Sequence, residues 1–182
     1  IEQTIDIPTK DGKTTTFIVH PDRGGPFPVI LFYMDAPAIR EELRDMSRRL
    51  ASSGYYVVLP NMYYRAGVME LGPIPPAMDA PERKRMQELM NGLSIPLVMD
   101  DTEALLTYID GQAAARKGPL GCVGYCMSGQ YAVNAPARPA PSEPAAIRSA
   151  TASAWARSSL PLRNARSVNS PDRAGRAPSA HT

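Results

Sequence analysis

The sequence predicts an α/β fold, a mostly parallel sheet flanked by helices, on three observations. Residues 28–33 and 55–59 are short apolar runs without alternation, the pattern of strands buried on both faces. Between and after them come longer segments with apolar residues at helical spacing. A third short apolar strand runs through small residues directly into another helix-like segment, at 118–134. Strands that alternate with helices pair in parallel, because each helix carries the chain back across the sheet.

The elements follow in order. Residues 14–20 are rich in β-branched side chains and come after the turn Lys10-Asp11-Gly12-Lys13, so they predict a hairpin with residues 4–7. The strand at 28–33 is followed by a helix over 39–53, with Leu43, Met46 and Leu50 on one face and Gly54 as its stop. After the strand at 55–59, residues 60–78 hold four prolines and read as an excursion loop. Asp79-Ala80-Pro81-Glu82 reads as a helix start with Asp79 as N-cap, and Asn91-Gly92 as its end. Residues 97–109 form a further amphipathic helix with Val98, Leu105 and Ile109 inward.

The net charge of +2 over 182 residues hides two unlike segments. Residues 1–134 carry 13 Lys and Arg against 16 Asp and Glu, a net of −3, whereas residues 135–182 carry 7 Arg, no Lys and 2 acids, a net of +5. Of those last 48 residues, 35 are Ala, Ser, Pro or Arg, and no period organises the few apolar ones. Such a segment buries too little apolar surface to offset about 1–2 kcal/mol of backbone entropy per residue, so 135–182 is expected to be a disordered low-complexity tail. The composition is that of a GC-rich coding sequence read out of frame, and an out-of-frame or unrelated replacement is the expectation. The scattered Arg and single aromatic, Trp155, argue against a nucleic-acid arm.

No stretch approaches the roughly 18 apolar residues of a membrane helix. The start lacks the apolar core of a secretory signal, and because it is Ile rather than Met a missing or processed beginning is expected. Two cysteines, Cys122 and Cys126, make neither a disulfide framework nor a zinc site. Free thiols fit a reducing cytoplasm. No metal cluster, phosphate loop or dinucleotide fingerprint is present, so no cofactor, nucleic acid or membrane partner is expected.

Gly124-Tyr125-Cys126-Met127-Ser128-Gly129 carries the chemistry. A nucleophile on a sharp strand-to-helix turn needs small neighbours, because the turn forces strained backbone angles and close approach. The turn aims the thiol at a helix N-terminus, where negative charge is favoured, and the Met127 N–H can donate to an oxyanion. A buried structural cysteine in a Gly-rich turn is the alternative for this motif taken alone. Cys122, on the strand, reads as a small buried hydrophobe.

The hexapeptide resembles the nucleophile elbow of the dienelactone hydrolase family, a cysteine branch of the α/β-hydrolases. Three further segments resemble that family in order: Thr9-Lys10-Asp11-Gly12 before a strand; Arg40-Glu41-Glu42-Leu43 through Pro60-Asn61-Met62-Tyr63-Tyr64-Arg65; and Asp100-Asp101-Thr102-Glu103-Ala104. The resemblance covers about residues 4–134. It implies a small-molecule ester or lactone substrate, with Cys126 as nucleophile and Met127 and Ala36 as oxyanion donors. It places Asp35 where the family often has a Glu that interacts with the resting thiol; a loop acid capping the next helix is the alternative. It matches Arg85 to an arginine that grips a substrate carboxylate; a solvated helix charge is the alternative.

A thiol of this kind needs a base and an orienting acid, which in the family follow the nucleophile. Here only Glu143, Asp172 and His181 follow Cys126, and nothing in the sequence positions them. His20 ends the hairpin strand and is not expected to be the base. The expectation is therefore a hydrolase impaired by loss of the triad Asp and His, with a catalytically inactive fragment or pseudoenzyme as the other reading. In the family's strand order the 118–124 strand lies inside the sheet, so a chain without the next strand leaves an aggregation-prone edge. The sequence does not give an oligomeric state.

Overall fold

The computed structural model describes residues 1–135. Five strands form one mixed sheet in the order β1-β2-β4-β3-β5: β1 (Glu2–Thr9), β2 (Gly12–Val19), β3 (Val29–Tyr33), β4 (Tyr56–Pro60) and β5 (Gly121–Gly124). Four helices accompany them: α1 (Glu41–Ser52), α2 (Pro81–Asn91), α3 (Ile95–Asp110) and α4 (Gly129–Asn134). The predicted α/β architecture is present, but the sheet is mixed rather than mostly parallel. The hairpin is the cause: β1 and β2 pair antiparallel, and the hairpin then lays β2 antiparallel on β4, while only β4-β3 and β3-β5 are parallel.

The hairpin is longer than predicted, with Glu2 opposite Val19 and Thr9 opposite Gly12. Gly12 closes it at φ +144°, a conformation that side-chain-bearing residues rarely adopt. β3 and β4 are buried at every position, as their unbroken apolar runs require.

α1 packs on β4 and β2; Met46 and Leu50 pack against the core beside Leu43, as read from the sequence, while Ser47 and Ala51 join Leu43 as its most deeply buried residues. Small residues at successive turns bring the helix axis close to the sheet, and Ser47 Oγ meets its own hydrogen-bonding need on the Leu43 carbonyl at 2.8 Å. α2 begins one residue later than an Asp79 cap would give: Ala80 is the N-cap and makes no side-chain cap bond. Pro81 sets that boundary, since it fixes its own φ, lacks an N–H and keeps Ala80 extended. α3 starts at a genuine cap, Ser94 accepting from the Leu97 N–H at 3.3 Å, and buries Val98, Leu105 and Ile109 as predicted. β5 is shorter than the 118–124 reading and, among the described residues, pairs only with β3. No helix of the described residues is long and apolar enough to cross a membrane. The reading of 135–182 as a disordered or out-of-frame tail lies, apart from Ala135, outside the described residues.

A polar knot ties the hairpin turn to α3. Arg65, in the short 3₁₀ helix Tyr64–Ala66, makes a two-pronged bond to buried Asp101 with both N···O distances 2.8 Å, and reaches Asp11 of the hairpin turn at 2.8 Å. Tyr64 hydroxyl donates to Asp101 at 2.8 Å and meets Thr9 at 2.7 Å. Burial opposes the charged guanidinium, but the bonds to Asp101 and Asp11 outweigh it and hold Arg65 more firmly protonated than usual. Burial likewise pushes the Tyr64 phenol up to about 12, so it stays a donor.

Removing the inner partner of this knot leaves a half-buried cation with only the solvated carboxylate of Asp11, whereas removing Asp11 leaves the two-pronged bond to Asp101 intact. Asp101→Asn is expected to lower unfolding stability by about 2–3 kcal/mol, and Asp11→Asn by less than about 0.5 kcal/mol. Urea midpoints of the two variants check this; equal shifts would show that the knot does not depend on Asp101.

Candidate nucleophile site

Three parallel strands end on the same side of the sheet, and each end is followed by a turn. β3 runs into Met34-Asp35-Ala36, β4 into Asn61-Met62-Tyr63, and β5 into Tyr125-Cys126-Met127. Convergence of loops at the carboxyl ends of parallel strands is what makes this edge of α/β folds a binding site.

Cys126 sits on the β5 turn at φ +55°. A left-handed conformation is uncommon outside glycine and costs about 1–2 kcal/mol; here it swings the thiol out of the sheet, and Cys126 is exposed. Gly124 makes the turn possible: a Cβ there would lie 2.3 Å from the Ser128 carbonyl oxygen and 3.1 Å from Ala132 Cβ. Gly129 is different, because a Cβ there meets no described heavy atom within 4 Å. The expected need for small neighbours thus rests on Gly124. Ser128 is fully buried and its hydroxyl donates to the Met34 carbonyl, binding the elbow to the end of β3.

The β3 turn holds the two other residues singled out from sequence. Ala36 is buried. Asp35 does not cap α1, whose N-cap is Arg40 without a side-chain cap bond. Both Asp35 oxygens instead take the Arg40 guanidinium, at 2.5 and 2.9 Å. These bonds raise Arg40 above an ordinary arginine. Arg40 also reaches the Ala38 carbonyl at 3.3 Å, and Ala38 is itself left-handed at φ +70°. Asp35 is therefore engaged by a cation in its own loop, a partner that the sequence pattern did not reveal.

Tyr63, on the β4 turn, is the site residue that the sequence reading missed. Its hydroxyl donates to the Ala36 carbonyl at 3.0 Å and lies 3.4 Å from Met127 Sδ. Burial, reinforced by the charges of Tyr131, Asp35 and Cys126, raises its phenol well above the ordinary value. The turn is fixed by Asn61, whose Oδ1 accepts from the Tyr63 N–H at 2.9 Å and whose amide donates to the Val68 carbonyl at 2.8 Å. The available signal was position: Asn61-Met62-Tyr63 directly follows the end of a buried strand.

Arg85 stands on α2 with its side chain half exposed, and makes a loose ion pair to Glu88 at 3.3 Å. It lines an open groove of about 240 Å³ together with Met62, Tyr63, Arg65 and Leu89. Tyr63 lines this groove and also touches Met127 of the elbow.

His20 lies elsewhere. It follows Val19, which pairs with Val57 at the start of β4, so it occupies the opposite end of the sheet from Cys126. Its ring stacks on Tyr56 with centroids 4.9 Å apart, and Nδ1 meets the Pro21 carbonyl at 2.7 Å. Glu143, Asp172 and His181 are outside the described residues. Cys122 is mostly buried on β5, and burial pushes its thiol up to about 11. Among the described residues no group of three His, Cys, Asp or Glu side chains could hold a metal ion.

The sequence model of the dienelactone hydrolase family matches residues 14–171. A protein of Methylorubrum extorquens, placed by its name with the carboxymethylenebutenolidases, is 31% identical over 138 residues, 73% of this chain and 45% of that protein. The carboxymethylenebutenolidase of Pseudomonas putida is 28% identical over 133 residues, covering 72% and 54%. The chain thus spans about half the length of these curated relatives. A crystal structure from Klebsiella pneumoniae assigned to the dienelactone hydrolases superposes with a TM-score of 0.59 at 23% identity, over 75% of this chain and 55% of that one; this likeness concerns the fold.

Two measurements check the site. Gly124→Ala is expected to cost about 3 kcal/mol by overpacking against the Ser128 backbone, whereas Gly129→Ala is expected to stay within about 1 kcal/mol; comparable thermal shifts for both would contradict the account of the turn. Iodoacetamide at pH 8 should modify Cys126 before Cys122, because roughly one in a thousand Cys122 side chains is then thiolate. Cys122 labelling should rise about tenfold per pH unit towards its value near 11, as followed by peptide mass spectrometry.

Proposed function

The chain belongs to the dienelactone hydrolase family, and on that premise we propose that it carries the acyl-accepting half of an ester or lactone hydrolase, with Cys126 as nucleophile. The observation that carries this reading is the exposed Cys126 at φ +55° on a turn that only Gly124 accommodates. A structural cysteine has no need of such a conformation, while a nucleophile that must stand clear of its strand does.

The chemistry runs in two steps. The Cys126 thiolate forms a C–S bond to the substrate carbonyl carbon, and the carbonyl oxygen takes the electron pair. The backbone N–H groups of Met127 and Ala36 face that oxyanion. Collapse restores the carbonyl, breaks the C–O bond and leaves a thioester while the alcohol oxygen takes a proton from water. Hydrolysis of the thioester then returns the thiol. Arg85, half exposed at a groove whose Tyr63 touches Met127 of the elbow, supports a substrate that bears a carboxylate. The two free cysteines support a reducing, cytoplasmic setting.

The second step needs a base. Among the described residues the only histidine is His20, at the far end of the sheet. That observation favours impaired deacylation, and in the limit a protein that does not turn over. The expected result with p-nitrophenyl acetate is a burst of about one equivalent of nitrophenolate, faster per thiolate than with glutathione. Turnover afterwards should be at least about a hundredfold slower. Cys126→Ala should abolish the burst and Cys122→Ala should not. A burst that survives Cys126→Ala, or a rate no better than glutathione, would overturn the acyl-transfer reading in favour of an inactive fragment.

A further inference from the structure

The Tyr63 hydroxyl meets both residues read as oxyanion donors. Its hydroxyl donates to the Ala36 carbonyl at 3.0 Å and lies 3.4 Å from Met127 Sδ. It comes from a third strand end, so it spans two loops that no local sequence connects. Its side chain is buried, and its backbone is pinned by Asn61, which is in turn tied to β2 through the Thr14 hydroxyl at 2.8 Å and the Thr15 carbonyl at 3.1 Å. A buried phenol held from behind, donating forward to a loop whose Ala38 is left-handed, has the form of a strut.

The oxyanion pocket needs such a strut. Two backbone N–H groups stabilise a tetrahedral oxygen only if both stand about 2.7–3.1 Å from it at once. Met127 is placed by the β5 turn and Ala36 by the β3 turn, and each turn contains a strained residue, Cys126 and Ala38. Ser128 fixes the elbow to Met34, and Arg40 fixes Asp35. Neither contact reaches Ala36 or Met127 themselves. We propose, resting on the reading of Cys126 as acyl acceptor, that Tyr63 is a positioning residue that sets the separation of the Ala36 and Met127 N–H groups. Its raised titration keeps the hydroxyl protonated, and so a donor, throughout the pH range in which a thiol reacts.

The test compares two reactions of the same thiol in the full chain. Acylation by p-nitrophenyl acetate passes through a tetrahedral oxyanion; alkylation by iodoacetamide displaces iodide at a saturated carbon and makes none. Tyr63→Phe keeps the ring and removes the hydroxyl. It should slow the acylation burst about tenfold, less than the ~10²–10³ for loss of a donor itself, and leave the alkylation rate of Cys126 within twofold. Met127→Leu keeps the Met127 N–H and volume but removes the sulfur that meets the phenol, and should slow acylation alone about threefold. It serves if Tyr63→Phe fails to fold by circular dichroism. An unchanged ratio of acylation to alkylation in both variants, or an equal fall of the two rates, overturns the positioning role and leaves the acyl-transfer reading standing. Absence of Cys126 acylation in the unaltered chain overturns both.

Discussion

The parallel ladder of β4, β3 and β5 is the constraint on which the rest depends. Its hydrogen bonds align three strands so that their carboxyl ends stop at one edge, and every residue read as functional except Arg85 sits within three positions of such an end. A parallel ladder cannot be closed by tight turns; each crossover takes a long connection. Here α1 supplies one connection and the α2–α3 segment the next. The site is thus assembled from residues far apart in sequence, and its precision depends on cross-loop bonds rather than on any single loop.

Those bonds form a graded set. Ser128 to Met34 joins the elbow to β3, Tyr63 joins the β4 turn to Ala36 and Met127, and the Arg40–Asp35 pair stiffens the β3 turn internally. Two residues with positive φ, Ala38 and Cys126, lie among these contacts. Strained backbone persists only where its surroundings over-determine it. The polar knot at Arg65 and Asp101 performs a related task one layer out, where it holds the segment after β4 against α3 and the hairpin.

The differences between the sequence reading and the structure have identifiable causes. Apolar periodicity located α1 and the packing of Leu43, Met46 and Leu50 but not the deeper burial of Ser47 and Ala51, which depends on small size, a property that hydropathy does not record. Asp79 offered a cap, yet the fixed φ of Pro81 set the helix boundary at Ala80. Asp35 was legible as a loop acid near the nucleophile, but its partner Arg40 follows from a turn geometry that no pattern encodes. Tyr63 stood within a segment recognised as family-like and received no role, since its function lies in reaching two other loops.

What the sequence determined by itself is the local chemistry: the α/β order of elements, the apolar strands, and a thiol at the third position of Gly-Tyr-Cys-Met-Ser-Gly. These rest on propensities, periodicity and steric need within a few residues, as the 2.3 Å approach at Gly124 shows. What only the tertiary structure decided is which side chains meet across loops. It left His20 at the far end of the sheet, gave Asp35 to Arg40, and placed the Tyr63 hydroxyl between Ala36 and Met127. Those pairings depend on strand order and register, and these are set by the packing of the whole sheet rather than by any one segment.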